Sequence, residues 1–480
     1  MVRVLRAITP IQSPSGRLDR NLRGSAGFCD TVTCRMTEAR VARGCRVLGH
    51  RRPRYVLTVM LALVAAGAFT TPAIGSSGGG SVNPTGGKAH RGGVSPTGPQ
   101  APGGGAPRKL TRAPANPFAG RSMWIWELSS SNDGSLASII ATAHQHGIGT
   151  LIIKSSDGVD MWSQFTPQLV SSLHAGGLRA CAWQYVYGIH PIEEAQLGAA
   201  AVRDGANCLL IDAESEYEGK YAQAQTYITE LRKLVGPTFP VGLAGFPYVD
   251  FHPAFPYSVF LGPGGAQYNV PQMYWKDIGT TTDAVFAHTY SFNRIYGRPI
   301  SPLGQVYNSP PAHQIVRFRE LSRVYGATGV GWWDWQEAPA GAWQAIARPA
   351  GTLPGYVPLD AAASIDKGWQ GDLVVWAQEH LISAGYQIPV DGGFGRATTA
   401  AVKSFQTQHG LTADGIIGPE TWQALLRYPP APIHWSVKSS GQQASVASTS
   451  GMTPPPKSAS LPAKRDEIAG AGGAGAPPRR

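Results

Sequence analysis

The sequence predicts an α/β protein: a (β/α)8 TIM barrel, then a small three-helix domain, with disordered linkers around them. Eight strand candidates alternate with helical or glycine-rich segments over residues 117–350, which is the length and element count of such a barrel. Residues 366–427 have the apolar spacing of a compact helical core. Residues 76–116 and 428–480 are dominated by small and turn-forming residues, so they bury too little surface to fold, and 351–365 is a short linker.

The first 75 residues have the layout of a targeting segment. Arg51-Arg52-Pro53-Arg54 precedes an apolar run from Tyr55 to Phe69, which is followed by small residues before Ser76. This predicts an N-terminal extension and a secretory signal peptide over residues 1–75, cleaved close to Ser76. An uncleaved membrane anchor is the alternative, although the apolar run is short for a membrane span. We therefore expect contact with a membrane only during export.

The net charge of +11 is concentrated in that segment. Residues 1–59 contain twelve arginines against three acidic residues, a balance of +9, so only +2 belongs to the rest of the chain. Nucleic-acid binding needs basic residues clustered on a folded domain. The charge distribution therefore argues against a nucleic-acid partner.

Each barrel element follows from its local sequence. The strand candidates are apolar runs at Met123–Leu128, Thr150–Ser155, Arg179–Tyr187, Cys208–Ala213, Val241–Phe246, Val270–Trp275, Pro302–Tyr307 and Thr328–Trp333. Between them, Leu136–His146 and Ala222–Leu234 have helical periodicity, and Ala175-Gly176-Gly177 is a turn. An open doubly wound sheet is the alternative, but no Gly-x-Gly-x-x-Gly loop follows the first strand candidate.

Cysteine and histidine positions bear on cross-links and metals. Cys181 and Cys208 lie on neighbouring strand candidates. Inward-pointing residues on parallel neighbours favour two buried thiols, and a disulfide is the alternative in an oxidising compartment. The histidines are scattered and no Cys/His spacing is typical of a zinc site, so we predict no metal and no cofactor.

The most informative stretch is Leu209 to Glu216, where an apolar strand delivers two carboxylates two residues apart. Because side chains alternate along a strand, Asp212 and Glu214 leave on the same face. Paired carboxylates at the carboxyl end of a buried barrel strand are what acid-catalysed cleavage of a glycosidic bond needs. The alternative is a strand that runs into an acidic, solvated loop.

Aromatic and polar residues also gather where the strand candidates end. Trp, Tyr and carboxylates are poor filler for barrel layers, which favour branched aliphatic residues. Aromatic faces stack on sugar rings, and carboxylates and amides bind hydroxyl groups. We therefore predict a substrate-binding belt of Trp126, Glu127, Trp183, Tyr185, Glu216, Gln272, Trp275, Gln305, Trp333, Asp334 and Trp335. The alternative is that these rings only cap the top of the barrel.

These motifs resemble those of the family 18 and family 25 glycoside hydrolases, the chitinases and lysozyme-type enzymes with an Asp-x-Glu on the fourth barrel strand. Asp212 and Glu214 match that motif, Gln272-Met273-Tyr274 resembles the chitinases' Met-x-Tyr, and Gly331 to Trp335 resembles their Trp-bearing eighth strand. The resemblance implies that Glu214 is the general acid/base. It also implies that Asp212 and Tyr274 orient the 2-acetamido group of the substrate.

Residues 366–427 contain an internal repeat of two Asp-Gly-x-x-Gly turns, Asp391 to Gly395 and Asp414 to Gly418. Each turn places glycine where a positive φ is needed before a helix. Along its whole length, through Thr421-Trp422, the region is similar to type-1 peptidoglycan-binding domains, and the resemblance implies peptidoglycan as the partner. No nucleophile or metal set lies inside it, which predicts binding without cleavage.

Together the two regions predict a secreted or cell-wall-associated monomer, a glycoside hydrolase acting on peptidoglycan or a related N-acetylated polysaccharide. Departures from the resembled families keep a second hypothesis open, a non-catalytic wall-associated carbohydrate-binding protein. Leu210 and Asn207 stand where the chitinase motif has further acids, and Glu127 only approximates the Asp that opens the lysozyme-type barrel. An amidase or endopeptidase is disfavoured, because no credible zinc set or Cys/His pair is present.

Overall fold

The computed structural model describes residues 116–438 and 441–446. The expected signal peptide, nearly all of the 76–116 linker and the last part of the tail lie outside these residues. Among the helices that are described, none is long and apolar enough to cross a membrane.

One curled, mainly parallel sheet forms the larger domain. Its strands are β1 Gly120–Ile125, β2 Thr150–Asp157, β3 Asp160–Met161, β4 Arg179–Val186, β5 Leu209–Ala213, β6 Val241–Ala244, β7 Tyr268–Asn269, β8 Gln272–Met273, β9 Leu303–Gln305 and β10 Gly329–Trp333. Pairing follows the order β7-β6-β5-β4-β2-β1-β10-β9-β8, and the short β3 pairs antiparallel with the end of β2. Consecutive parallel neighbours joined by helices are the topology that the sequence predicts.

β7 and β8 are two halves of one barrel strand, interrupted at Val270 and Pro271. Pro271 has no N–H for the sheet ladder, so regular pairing breaks there. Backbone bonds still join this strand to its neighbour: the Asn269 amide donates to the Pro299 carbonyl and the Leu303 amide to the Pro271 carbonyl, both at 3.0 Å. The sheet therefore closes into the predicted (β/α)8 TIM barrel.

Helices pack their apolar faces on the outside of the sheet. Their bounds are α1 Leu136–Gln145, α2 Pro167–Ala175, α3 Pro191–Arg203, α4 Tyr221–Val235, α5 Tyr257–Phe260, α6 Trp275–Ile278, α7 Thr282–Asn293, α8 Ala312–Val324 and α9 Ala340–Ala347. Local sequence sets several starts. The Ser135 hydroxyl accepts a hydrogen bond from the Ser138 amide at the start of α1, and Thr166 caps α2 just before Pro167. At the fifth position of the barrel, α5 has only four residues.

Side chains along each barrel strand alternate between two buried layers. In β1, Met123 and Ile125 join the core under the helices, and Trp124 points into the barrel interior. Cys181 and Cys208 both belong to the interior, lie 4.7 Å apart between Cα atoms, and form a disulfide. The expectation of two buried thiols is therefore wrong, because the register of β4 and β5 brings these two residues next to each other.

Residues 366–427 fold into three helices, α10 Asp372–Ser383, α11 Arg396–Gln408 and α12 Pro419–Leu425. Gln378 and Gln406 have equivalent roles in the two repeats: their amide nitrogens donate to Asp391 and Asp414, each at 2.8 Å, and so hold the two Asp-Gly turns. The glycines that follow these aspartates have φ values of +69° and +83°. That left-handed geometry is the one the repeated turns predict.

The tail is ordered over its first part. β11 Ile433–Lys438 pairs antiparallel with β12 Gly441–Val446. The Trp435 ring lies 4.2 Å from the Tyr221 ring at the start of α4, and Ile433 is buried beside them. The expectation of disorder from residue 428 is wrong for this hairpin. The alternating apolar residues of the hairpin pack against α4, some 200 residues away in the chain. Amino-acid composition does not reveal such a remote packing partner.

Candidate active site

Asp212 and Glu214 lie side by side at the carboxyl end of β5, the fourth strand around the barrel. They are 7% and 5% exposed. The Gln272 amide nitrogen, at the start of β8, donates to Oδ1 of Asp212 at 2.9 Å and to Oε1 of Glu214 at 3.0 Å. One donor therefore contacts both carboxyl groups, which leave the strand on the same face.

Burial sets the protonation of this pair. It raises the pKa of Glu214 to about 7, against the lowering effect of the hydrogen bond from Gln272 and with a further rise from the Glu216 charge. Burial and then the Glu214 charge raise the pKa of Asp212 well above its usual range, and the Lys154 cation opposes that rise. Two carboxyl groups in one buried pocket disfavour double ionisation. The pocket therefore holds a proton at neutral pH, which an acid catalyst requires.

Tyrosines flank the carboxyl pair. The Tyr185 hydroxyl donates to Oε2 of Glu216 at 2.8 Å. Tyr274 packs edge-on against Tyr307, with ring centroids 5.6 Å apart. Burial raises the pKa of Tyr185 and of Tyr274, and the negative charges of the carboxyl pair contribute. Both hydroxyls therefore stay protonated and can donate hydrogen bonds.

Tryptophan rings line the interior and the rim of the barrel. Trp183 and Trp333 meet edge-on at 5.4 Å between ring centroids, and Trp124 lies 5.6 and 5.8 Å from them. Trp126 lies closer to the rim, 6.5 Å from Trp162. Trp183 is buried and supports the site from within. Trp126 and Trp333 are part-exposed and offer a surface on which a sugar ring can stack.

Asp334 and Gln305 follow neighbouring strands but are used differently. Burial raises the pKa of Asp334 to about 7, aided by the Glu337 charge, and its Oδ1 has no hydrogen-bond partner among the described residues. Gln305 is fully engaged: its Nε2 donates to Asp277 at 2.9 Å and its Oε1 accepts from the Lys276 amide at 3.1 Å. Asp334 therefore keeps one buried carboxyl oxygen without a partner among the described residues, whereas Gln305 orders the neighbouring loop.

Trp275 and Trp335 lie in the core. Trp275 begins α6, is 1% exposed, and donates from Nε1 to Gln314 of α8 at 2.8 Å. Trp335 is 4% exposed and donates to Asn132 at 3.0 Å. Their predicted place in the substrate-binding belt is therefore wrong. β8 ends at Met273, before the predicted strand end, so Trp275 turns into a helix that packs on the barrel wall.

Two further residues, Lys154 and Trp162, lie at the barrel mouth. Lys154 Nζ pairs with Asp157 at 2.8 Å and lies 4.4 Å from the centre of the Trp162 ring. The signal for Lys154 was a lone lysine within an apolar strand. Trp162 gave no such signal, because β3, which precedes it, has only two residues. Glu127, which was in the belt, accepts a hydrogen bond from Ser130 in its own loop.

The titratable groups of the pocket are carboxyl groups, tyrosine hydroxyls and one lysine. Over residues 116–438 and 441–446, no group of three or more His, Cys, Asp or Glu side chains is arranged to hold a metal ion.

The C-terminal domain has recognisable relatives. Residues 370–425 match the family described as "Putative peptidoglycan binding domain". An uncharacterized protein of Kitasatospora aureofaciens is 43% identical over 88 residues, which cover 18% of this chain and 73% of that protein. The chain belongs to the peptidoglycan-binding domain family. Its membership rests on the region in which Gln378 and Gln406 hold the repeated turns.

Two further similarities reach other classes of protein. Zinc D-Ala-D-Ala carboxypeptidase of Streptomyces albus G is 36% identical over 95 residues, so the alignment spans 17% of this chain and only 36% of that relative's length. The crystal structure of a chitinase from Chromobacterium violaceum ATCC 12472 aligns at 10% identity and a TM-score of 0.36, over 48% of this chain and 98% of the chitinase chain.

Proposed function

We propose that this chain is an exported glycoside hydrolase that cleaves peptidoglycan or a related N-acetylated polysaccharide. The observation that carries the proposal is the Gln272 amide, which holds Asp212 and Glu214 in one buried pocket at the mouth of the barrel. The peptidoglycan-binding domain supports the choice of polymer. In this proposal the barrel, residues 117–350, cleaves the glycan, and residues 366–427 bind the cell wall.

Glu214 is the general acid and then the general base. Its carboxyl proton moves to the glycosidic oxygen as the bond to the anomeric carbon breaks, and the 2-acetamido oxygen of the sugar attacks that carbon. Water then attacks the anomeric carbon, gives a proton to the Glu214 carboxylate and releases the acetamido oxygen. A pKa of about 7, raised by burial, leaves a substantial fraction of Glu214 protonated for the first step at neutral pH.

Asp212 and Tyr274 orient the acetamido group during that attack. Asp212 accepts from the acetamido N–H, and the Tyr274 hydroxyl, whose pKa burial keeps high, donates to the acetamido oxygen. The part-exposed Trp126 and Trp333 rings stack on the sugar faces, and Asp334 binds a hydroxyl through its unpartnered oxygen. Each of these contacts positions the sugar for in-line attack.

The second candidate is a non-catalytic, wall-associated carbohydrate-binding protein with a degenerate barrel. Leu210 and Asn207 favour it, because they stand where the resembled chitinase motif carries acidic residues. Leu210 is fully buried in the barrel interior and supplies no charge to the pocket. The buried Asp212 and Glu214 pair favours the hydrolase.

Digestion of purified peptidoglycan by residues 76–480 tests the proposal, with mass spectrometry of the products. We expect new reducing ends, and a loss of about 10²–10⁴-fold in rate for Glu214→Gln, with oligosaccharide binding retained. Asp212→Asn should also slow the reaction, and Glu216→Gln should matter less. Glu218→Gln, which changes a part-exposed carboxylate bound to His252, is the matched control. Binding without products identifies the second candidate, and products cut only at peptide or amide bonds identify an amidase or endopeptidase.

Export through residues 1–75 is part of the same proposal. The arginine cluster and the apolar run from Tyr55 to Phe69 support it. N-terminal analysis of the protein recovered from culture medium and wall should place the mature end close to Ser76. Membrane-bound protein that retains Tyr55 to Phe69 would show an anchor instead.

A further inference from the structure

A groove lies at the rim of the barrel, beside the proposed catalytic pocket. It has a volume of about 630 Å³ and is lined by Leu128, Ser129, Gly134, Met161, Trp162, Ser163 and Gln164. One wall follows the carboxyl end of β1, and the other wall is formed by β3 and the residues after it. The carboxyl ends of parallel barrel strands share one rim, so the groove opens on the same end of the barrel as Asp212 and Glu214.

Lys154 links the groove to the catalytic pocket. Its Nζ lies 4.4 Å from the centre of the Trp162 ring and 4.8 Å from the centre of the Trp183 ring. Trp183 in turn meets Trp333 in the barrel interior. Trp183 and Lys154 are buried, so the aromatic surface that leads towards Trp162 is the part-exposed Trp126 ring, 6.5 Å from it.

Gln164 holds the two walls of the groove together. Its Nε2 donates to the carbonyl oxygens of Trp126 and Lys154 at 2.8 and 2.9 Å, and its Oε1 accepts from the Leu128 amide at 2.8 Å. The Trp126 and Trp162 rings then lie 6.5 Å apart with 35° between their planes. The groove is thus formed before any ligand arrives, which lowers the entropic cost of binding.

The chemistry of the lining indicates what the groove holds. It presents the half-buried Trp162 ring, the 62% exposed Met161 and two serine hydroxyls, and it includes no charged side chain. Exposed Asp133 and Asp160 flank it as the chain neighbours of Gly134 and Met161. An uncharged sugar offers apolar faces and hydroxyls that match this lining. The stem peptides of peptidoglycan carry carboxylates in addition to the single lactyl carboxylate of a bare muramic acid unit, so the two flanking aspartates repel a peptide-bearing strand more strongly than a peptide-free one. The Lys154 cation near Trp162 is already paired with Asp157.

We propose that this groove is a distal subsite for an uncharged saccharide unit, remote from the scissile bond, and that it makes the chain prefer glycan strands free of stem peptides. The inference rests on the proposed function, because it assigns a further part of the same substrate. Its occupant is another unit of the glycan chain that the catalytic pocket holds.

Calorimetric titration with N-acetylglucosamine oligomers of two to six units tests the subsite, using residues 76–480 with Glu214→Gln to prevent turnover. Adding Trp162→Ala should weaken hexamer binding by about tenfold, the order expected when one large apolar contact is lost, and should leave dimer binding nearly unchanged. Trp162→Phe should restore most of the hexamer affinity, because it keeps an aromatic face. Val159→Ala is the control, since Val159 is 48% exposed on the turn between β2 and β3 and does not line the groove.

A second titration tests the charge argument with peptide-free glycan strands and with strands that retain stem peptides. The peptide-free strands should bind more tightly than the strands with stem peptides. The double change Asp133→Asn and Asp160→Asn should reduce this difference in affinity. Equal affinity for the two strands, or a Trp162→Ala effect that is the same for dimer and hexamer, overturns the subsite and leaves the hydrolase proposal standing. Absence of saccharide binding by every variant overturns both.

Discussion

Asp372 of the C-terminal domain is buried against Ser258 of the barrel and accepts hydrogen bonds from both its backbone amide, at 2.8 Å, and its hydroxyl, at 2.7 Å. The Tyr296 hydroxyl donates to the same carboxylate at 2.7 Å. A Cβ on Gly371 would lie 2.3 Å from the Pro253 carbonyl oxygen, and Gly371 has a φ of +106°, so glycine is needed at this close approach. The binding domain is therefore packed on the barrel at the place where α5 is short, and these buried contacts fix its orientation against the barrel.

Replacing Asp372 with Ala should destabilise the chain. The change leaves the Ser258 amide and hydroxyl and the Tyr296 hydroxyl without their buried acceptor, and each unsatisfied buried group costs about 1–3 kcal/mol. We expect the free energy of unfolding, measured with urea, to fall by at least about 2 kcal/mol. Glu420→Ala, an exposed carboxylate in the first turn of α12, is the control and should change stability by less than about 0.5 kcal/mol. Equal effects of the two changes would contradict a structural role for Asp372.

The alkaline limb of the rate profile should follow the ionisation of Glu214. The acid must be protonated, and burial raises its pKa to about 7, so the rate should fall as the pH rises through that value. The Glu216 charge raises this pKa, so Glu216→Gln should move the limb to lower pH. The Gln272 hydrogen bond lowers it, so Gln272→Met should move the limb to higher pH and also reduce kcat, because Asp212 loses the same donor.

Initial rates on a soluble oligosaccharide between pH 5 and 9, in steps of about half a unit, check these two shifts. Glu218→Gln is the control and should leave the limb in place, because Glu218 bonds to His252 in another loop. A limb that moves in the same direction for Glu216→Gln and Gln272→Met would show that Glu214 is not the titrating acid.

Wall affinity should reside in the C-terminal domain. We expect residues 76–480 carrying Glu214→Gln to sediment with insoluble peptidoglycan, and to remain sedimented when a saturating N-acetylglucosamine hexamer fills the barrel. The barrel and the C-terminal domain are two linked binding sites for one polymer, so blocking the barrel leaves the C-terminal domain bound. Cellulose, which has no acetamido groups, is the control polymer. Release of the protein by the hexamer would place the affinity in the barrel.

The disulfide between Cys181 and Cys208 should contribute to stability. It closes a loop with a sequence separation of 27 residues, for which chain entropy suggests about 3.5 kcal/mol. The double change Cys181→Ala and Cys208→Ala should lower the unfolding free energy by that order. Unfolding the unchanged protein with reductant present should bring its urea midpoint down to that of the variant. Identical midpoints with and without reductant would mean that the thiols are unpaired.

Local patterns predicted a large part of this structure. The strand and helix order of the barrel follows from period-two and period-3.6 repeats, and the Asp391 and Asp414 turns follow from glycine at the left-handed position. The same-face geometry of Asp212 and Glu214 also follows from strand alternation. Trp275 shows the limit of such patterns, because an apolar run does not reveal at which residue a strand ends and a helix begins. The strand ends two residues earlier than predicted, and the Trp275 ring therefore lies in the core and not at the barrel mouth.

The sequence by itself determined the element order, the carboxylate pair and the repeated turns, because each depends on residues within a few positions of one another. Only the tertiary structure decided that Gln272 bridges Asp212 and Glu214. It also decided that Cys181 bonds to Cys208, and that Asp372 packs against Ser258 on the outside of the barrel. Gln272 lies 60 residues from Asp212, and Asp372 lies 114 residues from Ser258. The distance between such pairs is set by strand register and by packing between remote segments, and no local pattern encodes it.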